Sequence, residues 1–446
     1  MLSSMTRGPR SVLGGRNALV TAALAVAIVG AAFAGPVPAP SHDGPVALVN
    51  VDIYPVDGPV VERGTVVWER GVITAVGRDL EVPASAQRID AAGARVYPAF
   101  IACGTQLGLI EIEAVRATRD TSEVGELNPN VRAEIAVNPD SELIPVTRAG
   151  GVGLVQTMPS GGLVSGSSAL LRLDGWTWEE MVVKAPVGVH VQWPTMRIAE
   201  PEDKTEERRA QRDRDLARIH ELFARARAYE RAKPGASEID LRCEALIPVV
   251  RGEVPVFLHA NAWRDIEAAV RWAVESGLRC VLVGGRDAPR VASLLRAHDV
   301  PVIYGPVHDL PRHRSDPFDE AFVGPLRLHE AGVKFAIASF DTSNARNLPY
   351  EAATAAAHGL PPEVALRAIT QAPAEIFGLA DRLGSIAVGK VASLQLTDGD
   401  PLEITTKVLR LWLDGTPVDL ANRHTSLYEK YGERIRRDAT TRRGRF

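Results

Sequence analysis

Four side chains stand just beyond apolar runs of strand length. His259 closes Val254–His259, His308 follows Val302–Val307, Asp341 follows Val333–Phe340, and Gln106 comes two residues after Phe100–Gly104. If those runs are parallel strands of a barrel, their carboxyl ends share one rim, where such a fold does its chemistry. An imidazole there can hold a metal or move a proton near neutral pH, and a carboxylate can act as a base. Neither His308 nor His313 has a companion at His-x-His spacing. Cys103, Cys243 and Cys280 show no short pairing, so neither a zinc motif nor a disulfide framework is readable. Each candidate also has a plainer reading. Asp341, Thr342, Ser343 and Asn344 are all good helix caps. His259 can be a hydrogen-bonded rim residue, and His190, inside an apolar run, reads as a core or rim histidine. Glu111, Glu113, Arg116 and Glu123 either line the cavity as a polar cluster or form a solvated charged face. Pro159–Ala169 reads as a rim turn, with an anion cradle of backbone amides as the other reading. It matches neither Gly-x-Gly-x-x-Gly nor a P-loop, and Ser165-Gly-Ser is no nucleophile elbow.

The elements that must position these residues come from the alternation of strand runs with helical patterns, the signature of parallel βα units. Strand runs are Gly151–Met158, Val187–Trp193, Val254–His259, Leu278–Val283, Val300–Tyr304 and Val333–Ser339. Phe100–Cys103 and a poorly defined run near Ala169–Leu173 bring the number to eight, as a TIM (β/α)₈ barrel requires. Ile266, Val270, Ala273 and Val274 fall at helical spacing between two of them. Short strand-like runs at 45–97 and again at 380–421 predict a small composite β-sandwich domain built from both chain ends, flanking a barrel at 98–379.

Three further stretches have their own character. Residues 1–34 carry Arg7, Arg10 and Arg16 before an alanine-rich apolar run, then Ala32-Phe-Ala and a proline-rich stretch, which reads as a signal peptide cleaved after Ala34. That predicts export, to the periplasm or the medium, with no membrane attachment of the mature chain. Residues 200–238 are dense in charge, and Leu216, Ile219, Phe223 and Ala226 form a narrow stripe, as in a solvated helix lying on the barrel. Residues 422–446 read as a short helix with a disordered basic end. Across 446 residues, 46% hydrophobic and 24% charged is ordinary globular composition, and a net charge of −4 gives no reason to expect nucleic acid as a partner. A small-molecule ligand fits the rim residues, and assembly with further copies of the chain is left open.

The stretch Val96–Leu109 resembles the first barrel strand of the amidohydrolase superfamily, within its imidazolonepropionase-like branch. There a Pro-Gly-aliphatic run leads into Asp-x-His-x-His. The resemblance continues through Asn344–Ala353, Leu366–Gly378, Asp381–Lys390 and Thr397–Leu402. It implies a barrel with a composite β-domain and metal-dependent hydrolysis of non-peptide C–N bonds in amides or cyclic amides. It also implies that His259 is the fifth-strand metal histidine and Asp341 the eighth-strand aspartate, a general base on metal-bound water. The same alignment removes the rest of the metal site. The first-strand histidines fall on Gly104 and Gln106, the aspartate falls on Ala102, and the sixth-strand histidine falls on Gly284-Gly285. Neither glycine nor a carboxamide replaces an imidazole at such a centre.

Two functions follow. One is a hydrolase of C–N bonds whose metal-dependent activity is lost or altered. The other is a catalytically silent relative that binds a ligand or a protein at the barrel mouth. The catalytic candidates are Asp341 and His259, and the substrate-binding candidates are His308, Gln106, Glu111 and Arg116. No cofactor is implied unless His259 and Asp341 hold a divalent metal such as zinc in a rebuilt site. Replacing Gly104 and Gln106 by histidine is expected to restore metal binding if the remaining ligands are intact.

Overall fold

Eight consecutive runs of buried, largely β-branched and small residues form the central sheet. They are β6 (Phe100–Thr105), β7 (Val152–Thr157), β8 (Val164–Arg172), β9 (Val182–Gln192), β10 (Val256–Ala260), β11 (Cys280–Gly284), β12 (Val302–Tyr304) and β13 (Phe335–Ile337). They pair in chain order into a nearly closed barrel. Strands buried on both faces read as continuous apolar runs, which is why most of them were visible in the sequence. The computed structural model describes residues 37–40, 42–197, 202–232, 239–312 and 314–443. The leader at 1–34 and His313 lie outside them.

The third barrel strand departs from the regular pattern. β8 is antiparallel to both β7 and β9, whereas the other neighbouring pairs are parallel. Only residues 158–163 separate β7 from β8. A parallel return needs about a dozen residues or more, so this chain can only fold back as a hairpin. The turn uses Gly161 and Gly162, both at positive φ (85° and 65°). Most of the stretch 159–169 is therefore strand, with Ser165, Ser167 and Ser168 buried in β8, and it forms no anion cradle.

A second sheet joins the two ends of the chain. β1 (Val46–Ile53), β2 (Val61–Glu69), β3 (Val72–Gly77), β4 (Gln87–Asp90) and β5 (Arg95–Pro98) combine with β14 (Leu394–Thr397), β15 (Val408–Leu413) and β16 (Thr416–Val418). β5 pairs antiparallel with β14, and Trp68 meets Trp412 edge-on at 5.6 Å. The Trp68 indole donates to Gly415 O at 3.0 Å, tying the chain's two halves together inside one apolar core.

The charged stretch is a helix, Glu202–Ala232, that buries Ile219, Phe223 and Ala226 against the barrel and leaves its other faces in water. Phe223 packs edge-on to Trp272 of the helix Trp263–Glu275 at 5.1 Å. At the other end, Arg423–Arg443 forms a helix much longer than the short one expected from the sequence. Its Glu433 bonds Arg436 and Arg437 at i+3 and i+4, the pairing that supports an exposed helix. Among the described residues no helix is long and apolar enough to cross a membrane.

Candidate functional site

Where β6, β12 and β13 end, their following loops enclose a cavity of about 470 Å³. Gln106, His308 and Asp341 all line it, together with Glu113, Asn347 and Glu351. Hydrogen bonds position Gln106, Asp341, Glu351 and His308. The Gln106 amide donates to Thr342 Oγ1 at 3.0 Å, joining the first strand's loop to the eighth's. Asp341 Oδ1 accepts the Asn344 amide at 2.9 Å and Oδ2 accepts the Asn344 side chain at 2.8 Å. The carboxylate thus caps the turn that leads into the helix Leu348–Ala357.

That helix holds the seventh-strand loop from below. Glu351 is buried, and its Oε2 accepts the backbone amides of Val307 at 2.6 Å and His308 at 2.9 Å. Its carboxyl is held above the ordinary carboxylate range, first by burial and also by the charge of Asp341, although the amides of His308 and Val307 and the nearby imidazole pull the other way. The His308 ring lies between Glu351 Oε1 (3.4 Å from Nδ1) and Thr354 Oγ1 (2.7 Å from Nε2). Such a clamp fixes the ring's orientation.

His259 belongs to a different setting. Its Nε2 lies 2.8 Å from Nδ1 of His190, a fully buried residue on the neighbouring strand. Only one proton can sit between two such nitrogens. Burial pushes His259 down to about 4, and it pushes His190 well below the usual histidine range, with His259 adding to the effect. Both are neutral at physiological pH. The remaining nitrogen of His190, Nε2, is buried without a partner.

The residues present do not fit the family's metal. Gly104 sits at φ +69°, and a Cβ there would overlap the ring of Phe340. Phe340 itself has φ +51°, a conformation that a bulky residue adopts only under constraint, and it directs the ring onto β6. At the sixth strand, a Cβ on Gly284 would meet Asn261 Oδ1 at 2.6 Å. So at Gly104 on the first strand and Gly284 on the sixth, two of the positions where the resemblance would place histidines, neighbouring side chains already fill the space. Asp341 spends both oxygens on Asn344, and His259 spends Nε2 on His190. Among the described residues no three His, Cys, Asp or Glu side chains are grouped to hold an ion. The Gly104→His, Gln106→His exchange would have to displace the Phe340 ring before a histidine at 104 could reach the centre.

Of the sequence candidates, Asp341, His308 and Gln106 come together, and His259 stands apart with His190. Glu111 is half-buried with Oε1 unpartnered, while Arg116 is exposed in a 3₁₀ turn, Arg116–Thr118. Glu113 reaches the cavity. Glu351 and the obstructing pair Phe340 and Asn261 were not singled out in advance. A signal for Glu351 was present, an acidic residue in the first turn of a helix opened by Leu348-Pro349.

Comparison with known proteins gives a consistent picture. A sequence model of the Amidohydrolase family matches residues 179–421. Over 401 residues the chain is 26% identical to amidohydrolase tasK of Hapsidospora irregularis, an alignment that covers 81% of this chain and 41% of that protein. The chain thus spans about two-fifths of that relative's length. The crystal structure of an amidohydrolase from Thermotoga maritima MSB8 superposes with a TM-score of 0.76 at 27% identity, covering 84% of this chain and 99% of the other. A prolidase crystallised with N-methylphosphonate-L-proline shares the fold, with a TM-score of 0.52 at 20% identity over 84% of this chain and 99% of its own.

Proposed function

We propose that this chain, which belongs to the amidohydrolase family, keeps the barrel but not the metal chemistry, and binds a small amine-bearing polar molecule at the C-terminal rim. The observation that carries the reading is the filling of the space beside Gly104 and Gly284, ligand positions of the first and sixth strands, by Phe340 and Asn261. Without a metal, nothing lowers the pKa of water toward neutrality. Asp341 has no bound hydroxide to serve as base and instead presents charge. The lining supports the ligand class. Asp341, Glu113 and Glu351 are carboxyl groups, Gln106, Asn344 and Asn347 are amides, and among the described residues no Lys or Arg lines the cavity. An ammonium group would relieve the repulsion between Asp341 and Glu351 and donate hydrogen bonds to both carboxyl groups. The leader-like segment 1–34 supports an exported protein that meets this ligand in the periplasm or the medium.

The test pairs metal analysis with calorimetry on the purified chain. After incubation with zinc and dialysis, the expected content is far below one ion per chain. Spermidine is expected to bind with a salt-sensitive affinity that falls about tenfold in Asp341→Asn, while 1,8-octanediol does not bind. One zinc per chain, lost in His259→Ala, would overturn the reading. So would spermidine binding that ignores Asp341.

A further inference from the structure

We propose that the opposite end of the barrel carries a second site, for a small amphipathic carboxylate, independent of the rim. A cavity of about 890 Å³ opens there, at the starts of β10, β11, β12 and β13. Its volume lies within the about 300–1,000 Å³ of ordinary small-molecule sites. The walls are apolar: Val274, Leu278, Val281, Phe335, Val364 and Ile376. Water in such a space gains little from its surroundings, and a hydrocarbon chain would bury that surface.

The mouth supplies the polarity. Arg279, Lys334 and Arg367 face Asp299 and Glu375, leaving one positive charge in excess. Lys334 pairs with Asp299 at 3.0 Å and Arg367 with Glu375 at 2.6 Å. Arg279 has no carboxylate partner among the described residues. Its Nη1 donates to the carbonyls of Gly252 (3.1 Å) and Glu253 (3.4 Å), which anchors the group by one nitrogen and leaves the Nε and Nη2 hydrogens to a ligand. Those two donors match the two oxygens of a carboxylate. Lys184 adds to the field. Its ammonium donates to Phe377 O at 2.6 Å, and its pKa is lowered first by burial and then by the charge of Arg279, against a smaller opposing effect of Asp381. His298 and His329 complete the edge with polar rings. An anionic head at Arg279 and an apolar tail within account for both halves of the cavity.

The experiment is calorimetric titration of the full chain with decanoate, below its micelle concentration, and with decanol as the uncharged match. One decanoate per chain is expected, bound at least tenfold more tightly than decanol. Arg279→Glu, at an exposed position, should weaken decanoate at least tenfold. Ala372→Phe, which fills the cavity from its wall, should abolish binding, with circular dichroism confirming that the variant is folded. Absence of saturable binding overturns the proposal. Equal affinity for decanol overturns it as well, and so does binding that survives in both folded variants.

Discussion

The two ends of this barrel have been shaped in opposite ways. At the carboxyl ends of the strands the interior is crowded. Phe340 presses on Gly104, Asn261 on Gly284, and His190 on His259, so the space left is a polar pocket displaced toward β12 and β13. At the amino ends the strands open onto a larger, apolar space with cations at its edge. In a TIM barrel the first end ordinarily carries function and the second carries stability. Here the obstruction falls on the end where the resemblance places the metal. A fold can thus keep its architecture while the side chains at one rim are repacked, because strand pairing depends on buried apolar residues and not on what the loops carry.

Enlarging a residue tests this contrast most severely. Gly104→His must displace the Phe340 ring and place a side chain at φ +69°. Overpacking and the left-handed backbone together should cost about 4 kcal/mol, read by chemical denaturation. Ala372→Leu at the opposite end projects into existing space and should change stability by less than about 1 kcal/mol. If Gly104→His proves as stable as the parent chain, the ring does not obstruct the site. If Phe340→Gly added to it restores stability, the obstruction is that ring alone.

The next largest effect is expected from pH. His190 and His259 are neutral when folded and take protons when unfolded, where their ordinary value is 6.5. A depressed folded pKa means that stability is complete above the unfolded value. It falls as the pH drops through 6.5 and, for His259, stops falling near 4. His259 alone should cost about 3 kcal/mol across that window, with His190 adding to the slope. Denaturation midpoints between pH 7 and 4 would show it, and His190→Asn with His259→Asn should flatten the curve. A curve of the same slope in that variant would assign the acid sensitivity elsewhere.

How much of this was legible in the sequence follows the same division. The barrel strands announced themselves because burial on both faces demands unbroken apolar runs, and the joined β-domain because its short strands recur at both ends. β8 was poorly placed because Val164–Ser168 is rich in small and polar residues, and its reversed direction depended on the length of the turn before it. At the site, the missing histidines could be read directly at Gly104, Gln106 and Gly284. What occupies their place could not, since Phe340 reaches Gly104 across 236 residues of chain and by way of an uncommon backbone conformation. The His190–His259 contact depends on strand register, which single runs do not encode. Glu351 lies within Asn344–Ala353, one of the stretches that carry the resemblance, yet its buried bonds to a distant loop appear only once helix and loop are packed.

Two smaller effects distinguish support from recognition at the rim. Glu351→Ala would leave the amides of Val307 and His308 buried without acceptors, at a cost of about 2 kcal/mol, whereas Glu351→Gln retains one acceptor oxygen and should recover most of it. Asp341 separates the two roles more finely. Asp341→Ala loses the cap on Asn344 and should destabilise the chain by about 1 kcal/mol. Asp341→Asn keeps an oxygen for the Asn344 amide and should unfold within about 0.5 kcal/mol of the parent, as an N-cap exchange between these residues does. Its effect should instead appear in spermidine affinity, measured by calorimetry at low salt, where one charge facing the ligand is gone. Loss of stability in both variants with unchanged affinity would make Asp341 a cap and nothing more, and would overturn the reading of the rim as a site for an amine.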